Sequence, residues 1–375
     1  MKKIVIIPLM LFAAACNGKP KEPEVLKIFS LHSYQEHSPQ KIAALLKEDG
    51  VAGLAKLDPR AAVLEKKRPV KARPTVGAGS AGMLVGERNG ALVLLKVFER
   101  SPAAGAGLRE GDKLLALDGE PLTAESAAGL LAGKVGFTLK AERNGAPLEA
   151  RVTRASFFFP QLFAFYDPPS RTLFLRVGLF FEGSAAPALA AVEAAAARGA
   201  RNVVFDLRDN LGGVPAEAAE ILKVFAAKPG PLIELRSRHA RYSALYRAEG
   251  RGRFAGLKTA ALVNSGTAMA AEILARSIKE TAGGLSVGGT TAGSVSRVRA
   301  FSLSDGRGLE LTVARLFPPS GLDLQGAGAQ PDVAAGDPGS RLVWDNSREL
   351  TLLGDAAWLK ALEMLAAAAP SERRP

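Results

Sequence analysis

The chain has a single cysteine, Cys16, so no disulfide can form within it and no cysteine-based zinc site can be built. Histidine is almost as scarce. His32, His37 and His239 are the whole supply, too few for a histidine-rich metal centre, and no metal or cofactor is expected. Aromatic residues make up only 6% of the chain. The formal net charge of +12 is carried by scattered arginines in an Ala/Gly/Leu-rich background. No run resembles a nucleic-acid-binding arm, so nucleic acid is not an expected partner. At 47% hydrophobic and 23% charged over 375 residues, the composition excludes disordered, collagen-like and coiled-coil chains and suits two or three globular domains.

The start of the chain is patterned. Lys2 and Lys3 precede an apolar run, Ile4 to Ala15, that is too short to span a bilayer as a helix. Its end, Leu11-Phe12-Ala13-Ala14-Ala15-Cys16, resembles a bacterial lipoprotein signal, in which the cysteine is lipidated and becomes the mature N-terminus. Ala13 stands where such signals usually carry leucine. The Ala13-x-Ala15 pair also fits an ordinary signal-peptidase site. The expectation is a signal peptide over 1–16, lipidation at Cys16 and a membrane-anchored, periplasm-facing lipoprotein of the bacterial envelope, with a soluble periplasmic or secreted protein as the alternative.

Residues 17–75 read as a helical segment and linker. Ile42, Leu45, Leu46, Val51 and Leu54 recur at close to a helical period over Lys41 to Leu57, and Pro69 and Pro74 punctuate a basic linker. Residues 76–154 switch to short strands with the tight-turn dipeptides Asn89-Gly90, Asp118-Gly119 and Asn144-Gly145. From 155 to 335 strands and helices alternate, which implies α/β layers: the helix former Ala185–Arg198, the strand Asn202–Leu207, the strand Ala260–Val263 and a helix from Ala268 to Lys279. Residues 336–375 hold one amphipathic helix, Ala356–Ala367, and a charged tail.

Two glycine patterns carry no chemistry. Gly77-x-Gly79-x-x-Gly82 precedes a strand instead of linking a strand to a helix, so a dinucleotide phosphate would find no helix N-terminus. Gly288-x4-Gly293-Ser294 lacks the lysine of a phosphate-binding loop.

Other stretches are specific. Ser101-Pro-Ala-Ala-Gly-Ala-Gly-Leu-Arg-Glu-Gly-Asp-Lys-Leu-Leu-Ala-Leu-Asp-Gly119 closely resembles the PDZ domains of bacterial proteases. In that case the carboxylate loop falls at Ser80-Ala81-Gly82-Met83 and a peptide adds as a strand beside Met83-Leu84-Val85. The facing helix, about Thr123 to Leu131, then supplies Ala127 and Leu131 as pocket walls. The alternative is that the module merely packs on the core as a spacer.

Four further stretches follow in order: Asp206-Leu-Arg-Asp-Asn-Leu-Gly-Gly213, Leu262-Val-Asn-Ser-Gly-Thr-Ala-Met-Ala-Ala-Glu-Ile273, Val287 to Val295 with Leu303-Ser-Asp-Gly306, and Leu311 to Gly321 with Gln325 to Asp332. With Leu57-Asp58-Pro59 upstream, they resemble the C-terminal processing (tail-specific) serine peptidases. That resemblance implies a multidomain α/β and β chain: a helical N-terminal segment, a PDZ domain and a crotonase/Clp-like α/β tail-specific peptidase core. It also implies peptide hydrolysis by a serine nucleophile with a neutral lysine as general base. Carried over residue by residue, the nucleophile falls on Met269, the lysine on Ser294 and an orienting glutamine on Val298. A thioether has no proton to lose, and a hydroxyl is no base at neutral pH.

The family's oxyanion-hole donors are backbone N–H groups and fall on Gly212, Gly213 and Ala270, where they can outlast the loss of side chains. Their bland reading is a positive-φ turn. The expectation is a pseudo-peptidase that binds unfolded or C-terminal polypeptide segments or regulates an active paralogous protease. The first alternative is an endopeptidase using Ser294 or Thr267, with Lys258, Lys279 or His239 as base. The second is a structural lipoprotein whose basic surface meets an acidic wall polymer.

Overall fold

Ser38 and Pro39 make a helix start, a capping hydroxyl followed by proline at the first helical position. In the computed structural model Ser38 Oγ accepts the Lys41 N–H at 3.3 Å. The structure describes residues 21–64, 81–88, 90–123, 134–155, 161–336, 350–352 and 355–367. Cys16, Ser80, Ala127 and Leu131 lie outside them. The chain forms two units, residues 1–70 with 298–313, and 71–297 with 314–375.

The first unit contains α1 (Glu22–His32), α2 (Pro39–Asp49), a 3-10 helix over Gly50–Lys56 and β1 (Ala62–Leu64). The helical period of Lys41 to Leu57 is therefore split, because Gly50 takes φ +63 and ends α2. Asp58 of the Leu57-Asp58-Pro59 tripeptide is buried. Its carboxylate accepts the Thr312 N–H at 2.6 Å and the Thr312 hydroxyl at 2.9 Å. This tripeptide is a clasp. Residues 298–313 group with this unit, and Val298 goes with them, half-buried on the strand Ser296–Ser302. Strand β1 pairs antiparallel with residues 308–310.

In the second unit a small β module comes first: β2 (Met83–Arg88), β3 (Ala91–Val97), α3 (Pro102–Gly105), β4 (Lys113–Leu117), β5 (Glu120–Pro121), β6 (Gly136–Arg143) and β7 (Ala146–Thr153). Its sheet runs β2-β3-β4-β6-β7, with β5 on β4. Asn144 and Gly145 both take positive φ, +52 and +82, as the two-residue hairpin between β6 and β7 requires. Asp112 explains the Gly111-Asp112 signature. Its buried carboxylate receives Arg143 Nε at 2.7 Å and the Arg109 N–H at 2.8 Å, and Arg143 also donates to the Gly107 carbonyl at 2.7 Å. Burial pushes the Asp112 carboxyl up, but Arg143 and the Arg109 N–H outweigh it and hold it below the ordinary aspartate range.

The rest of the unit alternates β8 (Leu162–Asp167), β9 (Thr172–Val177), α4 (Ala185–Ala197), β10 (Asn202–Asp206), α5 (Pro215–Lys223), β11 (Gly230–Arg236), β12 (Ala244–Ala248), β13 (Lys258–Val263), α6 (Met269–Ala282) and β14 (Leu285–Gly288). Strands β9, β10, β13 and β14 are parallel neighbours, and β8 is antiparallel on the β9 edge. These strands read as unbroken apolar runs because both faces of the sheet are buried. Val203, Phe205, Ala261 and Val263 pack with Ala188, Val192, Ile221 and Ile273 of helices α4, α5 and α6. The alternate residues Phe174, Val204, Ala260 and Leu262 face a second cluster. It contains Leu84, Val93 and Leu95 of the β module, Phe98 just after β3, and Trp358, Ala361 and Leu365 of α7 (Ala356–Ala367).

Phe174 is the hub of that second cluster, with ring centroids 4.9 Å from Phe165, 6.0 Å from Phe163 and 5.4 Å from Trp358. Truncating it removes the transfer energy of a whole ring and leaves a cavity. Phe174→Ala is expected to cost about 3–5 kcal/mol, read as a lower urea midpoint for the unit. A midpoint within error of the wild type would contradict this packing role.

Candidate functional site

Parallel neighbours β10 and β13 end at the same edge of the sheet, where open α/β sheets hold their ligands. The loops that leave them are cross-linked by Asn264. Its Oδ1 accepts the N–H groups of Asp209 at 2.9 Å and Gly266 at 3.0 Å, and its Nδ2 donates to Asp209 Oδ1 at 3.0 Å. Thr267 is fully buried. Its hydroxyl donates to the Leu207 carbonyl at 2.8 Å and accepts the Asn264 N–H at 3.1 Å, so it is a loop tie with no access to a substrate. Ser265 lies exposed earlier in the same loop.

Met269 opens α6 with φ +49, a left-handed conformation that costs an L-residue about 1–2 kcal/mol. A strained residue on a sharp strand-to-helix turn is how a nucleophile is presented in acyl-transfer hydrolases. Here a thioether occupies the turn, partly buried against the larger core cluster. The Met269 N–H donates to the Ser294 carbonyl at 2.9 Å, which joins the two positions backbone to backbone.

The loop around half-buried Ser294 is held from below by Glu272, a residue on α6 with no exposed surface. Its Oε1 accepts the Gly293 N–H at 2.9 Å and its Oε2 the Ser294 N–H at 3.1 Å. The Thr291 hydroxyl donates to Oε1 as well. Burial pushes the Glu272 carboxyl above the ordinary glutamate range, with the Thr291 hydroxyl and the loop N–H groups pulling the other way. Gln325 braces the far side: its Oε1 accepts the Val295 N–H at 3.1 Å and the Ser296 hydroxyl at 2.9 Å. Sequence reasoning gave neither Glu272 nor Gln325 a role. The available signal was a carboxylate set among apolar residues in Ala271-Glu272-Ile273.

The opposite wall is the Gly212-Gly213 turn. Both residues have φ near +100°, +101 and +108. A Cβ at 212 would lie 2.4 Å from Met269 Cβ and 3.0 Å from the Ala270 nitrogen, and one at 213 would lie 2.0 Å from the Phe180 carbonyl oxygen. The turn is pinned by Phe180, whose N–H donates to the Gly212 carbonyl and whose carbonyl accepts the Val214 N–H, both at 2.8 Å. One expected oxyanion donor is lost: the Gly212 N–H is taken by Asn210 Oδ1 at 2.7 Å. Among the described residues, the N–H groups of Gly213 and Ala270 have no acceptor. Leu179, Phe181, Leu211 and Val214, all exposed by 37% or more, flank this turn and Phe180.

Beneath the turn, buried Asp206 pairs with Arg176 at 3.0 Å and Arg208 at 2.9 Å, and Arg208 also reaches Asp355 at 2.7 Å. Burial pushes Asp206 up, but the charges of Arg208 and Arg176 outweigh it and hold the carboxyl below its ordinary range.

The bases considered for a rewired mechanism are placed elsewhere. Lys258 starts β13, at the opposite end of the strand from this edge, and donates to the Leu365 carbonyl at 2.9 Å. Lys279 lies about 15 Å along α6 from Met269 and pairs with Asp332. His239 leads into the 3-10 turn Ala240–Tyr242, its ring 6.0 Å from that of Tyr242. In the β module, Ala81, Met83 and Val85 are buried in the module's own core. The free edge expected beside Met83-Leu84-Val85 is paired in parallel with Leu350–Thr351.

An elbow at a strand-to-helix turn, facing a Gly-Gly loop, is an arrangement that acyl-transfer hydrolases also use. Residues 172–335 match the model of peptidase family S41. The carboxy-terminal processing protease CtpB of Bacillus subtilis is 26% identical over 266 residues, which is 68% of this chain and 55% of that protein. The chloroplastic carboxyl-terminal-processing peptidase 2 of Arabidopsis thaliana is 31% identical over 255 residues, 64% of this chain and 49% of that protein. The chain thus spans about half the length of these curated relatives. The solved photosystem II D1 C-terminal processing protease shares the fold, with a TM-score of 0.53 and 23% identity over 85% of this chain and 92% of that one. Residues 172–335 are thus similar to peptidase family S41 in sequence.

Two outcomes test the site geometry. Gly213→Ala is expected to destabilise the unit by at least about 2 kcal/mol, because the new Cβ meets the Phe180 carbonyl; an unchanged urea midpoint would contradict the pinned turn. Glu272 has a folded pKa above its unfolded one, so its contribution is fully present below the unfolded value and is lost as pH rises through the folded value. Stability of wild type relative to Glu272→Gln should therefore fall as pH rises above about 4, whereas parallel stability curves would contradict it.

Proposed function

We propose that the chain is a peptidase-derived binding protein of the bacterial envelope, exported and lipid-anchored at Cys16, that holds polypeptide C-termini without cutting them. The observation that carries this reading is the occupancy of the elbow. Met269 holds the strained φ of a nucleophile position but offers a thioether, and the position its N–H meets, Ser294, offers a hydroxyl instead of an amine. No acyl-enzyme ester can form on a thioether, and no general base stands in the lysine's place.

What remains suits binding. The N–H groups of Gly213 and Ala270 are donors for a carbonyl or a terminal carboxylate, and the exposed Leu179, Phe181, Leu211 and Val214 offer an apolar surface beside them. The β module, read as a PDZ domain from its Gly107-Leu108 and Gly111-Asp112 signatures, adds a second polypeptide site along β2 by edge pairing. The partners on this reading are unfolded or C-terminal polypeptide segments, and an active paralogous protease is a further candidate. The buried, bonded Thr267 hydroxyl weighs against the alternative endopeptidase.

Purified protein incubated with an unfolded polypeptide bearing an apolar C-terminal tail should yield no fragments by mass spectrometry, while binding the tail peptide in the micromolar range. Cleavage that is abolished by Ser294→Ala or His239→Ala would overturn the reading. Conversely, Met269→Ser combined with Ser294→Lys should restore some proteolysis by setting hydroxyl and amine on the two joined positions. A fully inert double variant that binds peptide normally would contradict this register, unless adding Val298→Gln to orient the lysine revives it.

A further inference from the structure

The β2 edge that a peptide would use already has an occupant. Leu350 lies opposite Leu84 and Thr351 opposite Val85 in a parallel pairing, and the Leu352 N–H donates to the Val85 carbonyl at 3.2 Å. The Leu352 side chain, 7% exposed, belongs to the aromatic cluster with Leu84 and Trp358. The segment is fastened immediately downstream. The Asp355 N–H donates to the Leu352 carbonyl at 3.2 Å, and the Asp355 carboxylate accepts the Trp358 N–H at 3.0 Å and pairs with Arg208 at 2.7 Å.

We propose that Leu350–Leu352 is a built-in ligand of the β2 edge, so that a polypeptide adding a strand there must first displace this segment of the chain itself. The inference rests on the peptide-binding reading of the module and adds its regulation. Among the described residues the pairing covers two residue positions, short enough to open while the module stays folded. Its closed population reduces the apparent affinity for an outside peptide by the fraction of molecules that are open. The fastening also has a destination. Arg208, which grips Asp355, belongs to the same loop as Gly212 and Gly213, so release of the segment loosens a contact at the base of the elbow site.

Two variants weaken the segment without touching β2. Leu352→Pro deletes the N–H that bonds Val85, and Asp355→Asn keeps the helix cap while removing the charge paired with Arg208. Binding is read by fluorescence anisotropy of a labelled ten-residue peptide ending in three apolar residues with a free carboxylate. Amide exchange at Leu352 is followed in parallel. Each variant is expected to bind at least about fivefold tighter than wild type, and saturating peptide should speed exchange of the wild-type Leu352 amide. Asp355→Asn keeps the test decisive should Leu352→Pro misfold. Equal Kd in wild type and Asp355→Asn, with Leu352 still protected at saturation, would overturn the self-occupied edge and leave peptide binding standing. Absence of binding in every form would overturn the peptide-binding reading, and the inference with it.

Discussion

Glu272 is buried without exposed surface, and its two oxygens collect donors from Thr291, Gly293 and Ser294. A carboxylate in that position is expensive unless its hydrogen bonds are made, so the loop that supplies the donors is tied to the helix that supplies the carboxylate. The Met269 N–H then closes the circuit onto the Ser294 carbonyl. The elbow, the loop facing it and the start of α6 are consequently one object. None of these ties runs through the Met269 or Ser294 side chains, so the object does not depend on what stands at those two positions.

The same separation appears on the other wall. Gly212 and Gly213 are required by space: one faces the Met269 Cβ, the other the Phe180 carbonyl. Asn210 is required by satisfaction of buried polar groups, accepting from Gly212 and donating to the Val177 carbonyl at 2.7 Å. Under them the Asp206, Arg176 and Arg208 charges are buried but mutually paired. The architecture of the elbow is thus maintained by backbone and spacing. Among the described residues, the Gly213 and Ala270 N–H groups have no acceptor, and exposed apolar side chains lie around them.

Much of this was legible in the residues. The apolar runs Asn202–Asp206 and Lys258–Val263 announce strands buried on both faces, and the glycine pair and the Asn264-to-Ile273 stretch mark the loops that leave them. The roles of Thr267 and Glu272 were not legible, since a hydroxyl in a loop looks the same whether it bonds a buried carbonyl or faces solvent. Nor was the loss of the Gly212 donor, which depends on the rotamer of Asn210. Long-range pairing was the hardest to read. Nothing local in Leu350–Leu352 says that it meets Leu84 and Val85, and nothing in residues 298–313 says that they group with residues 1–70.

On the proposed reading the elbow site holds a polypeptide end and does not cut it. A crystal structure of the protein soaked with an intact apolar peptide carrying a free carboxylate is the sharpest check. An uncleaved chain is expected in the cleft, with a peptide oxygen about 2.7–3.1 Å from the N–H groups of both Gly213 and Ala270. A cleaved peptide, or an acyl group bonded to Ser294 or another hydroxyl beside the Gly-Gly turn, would contradict it.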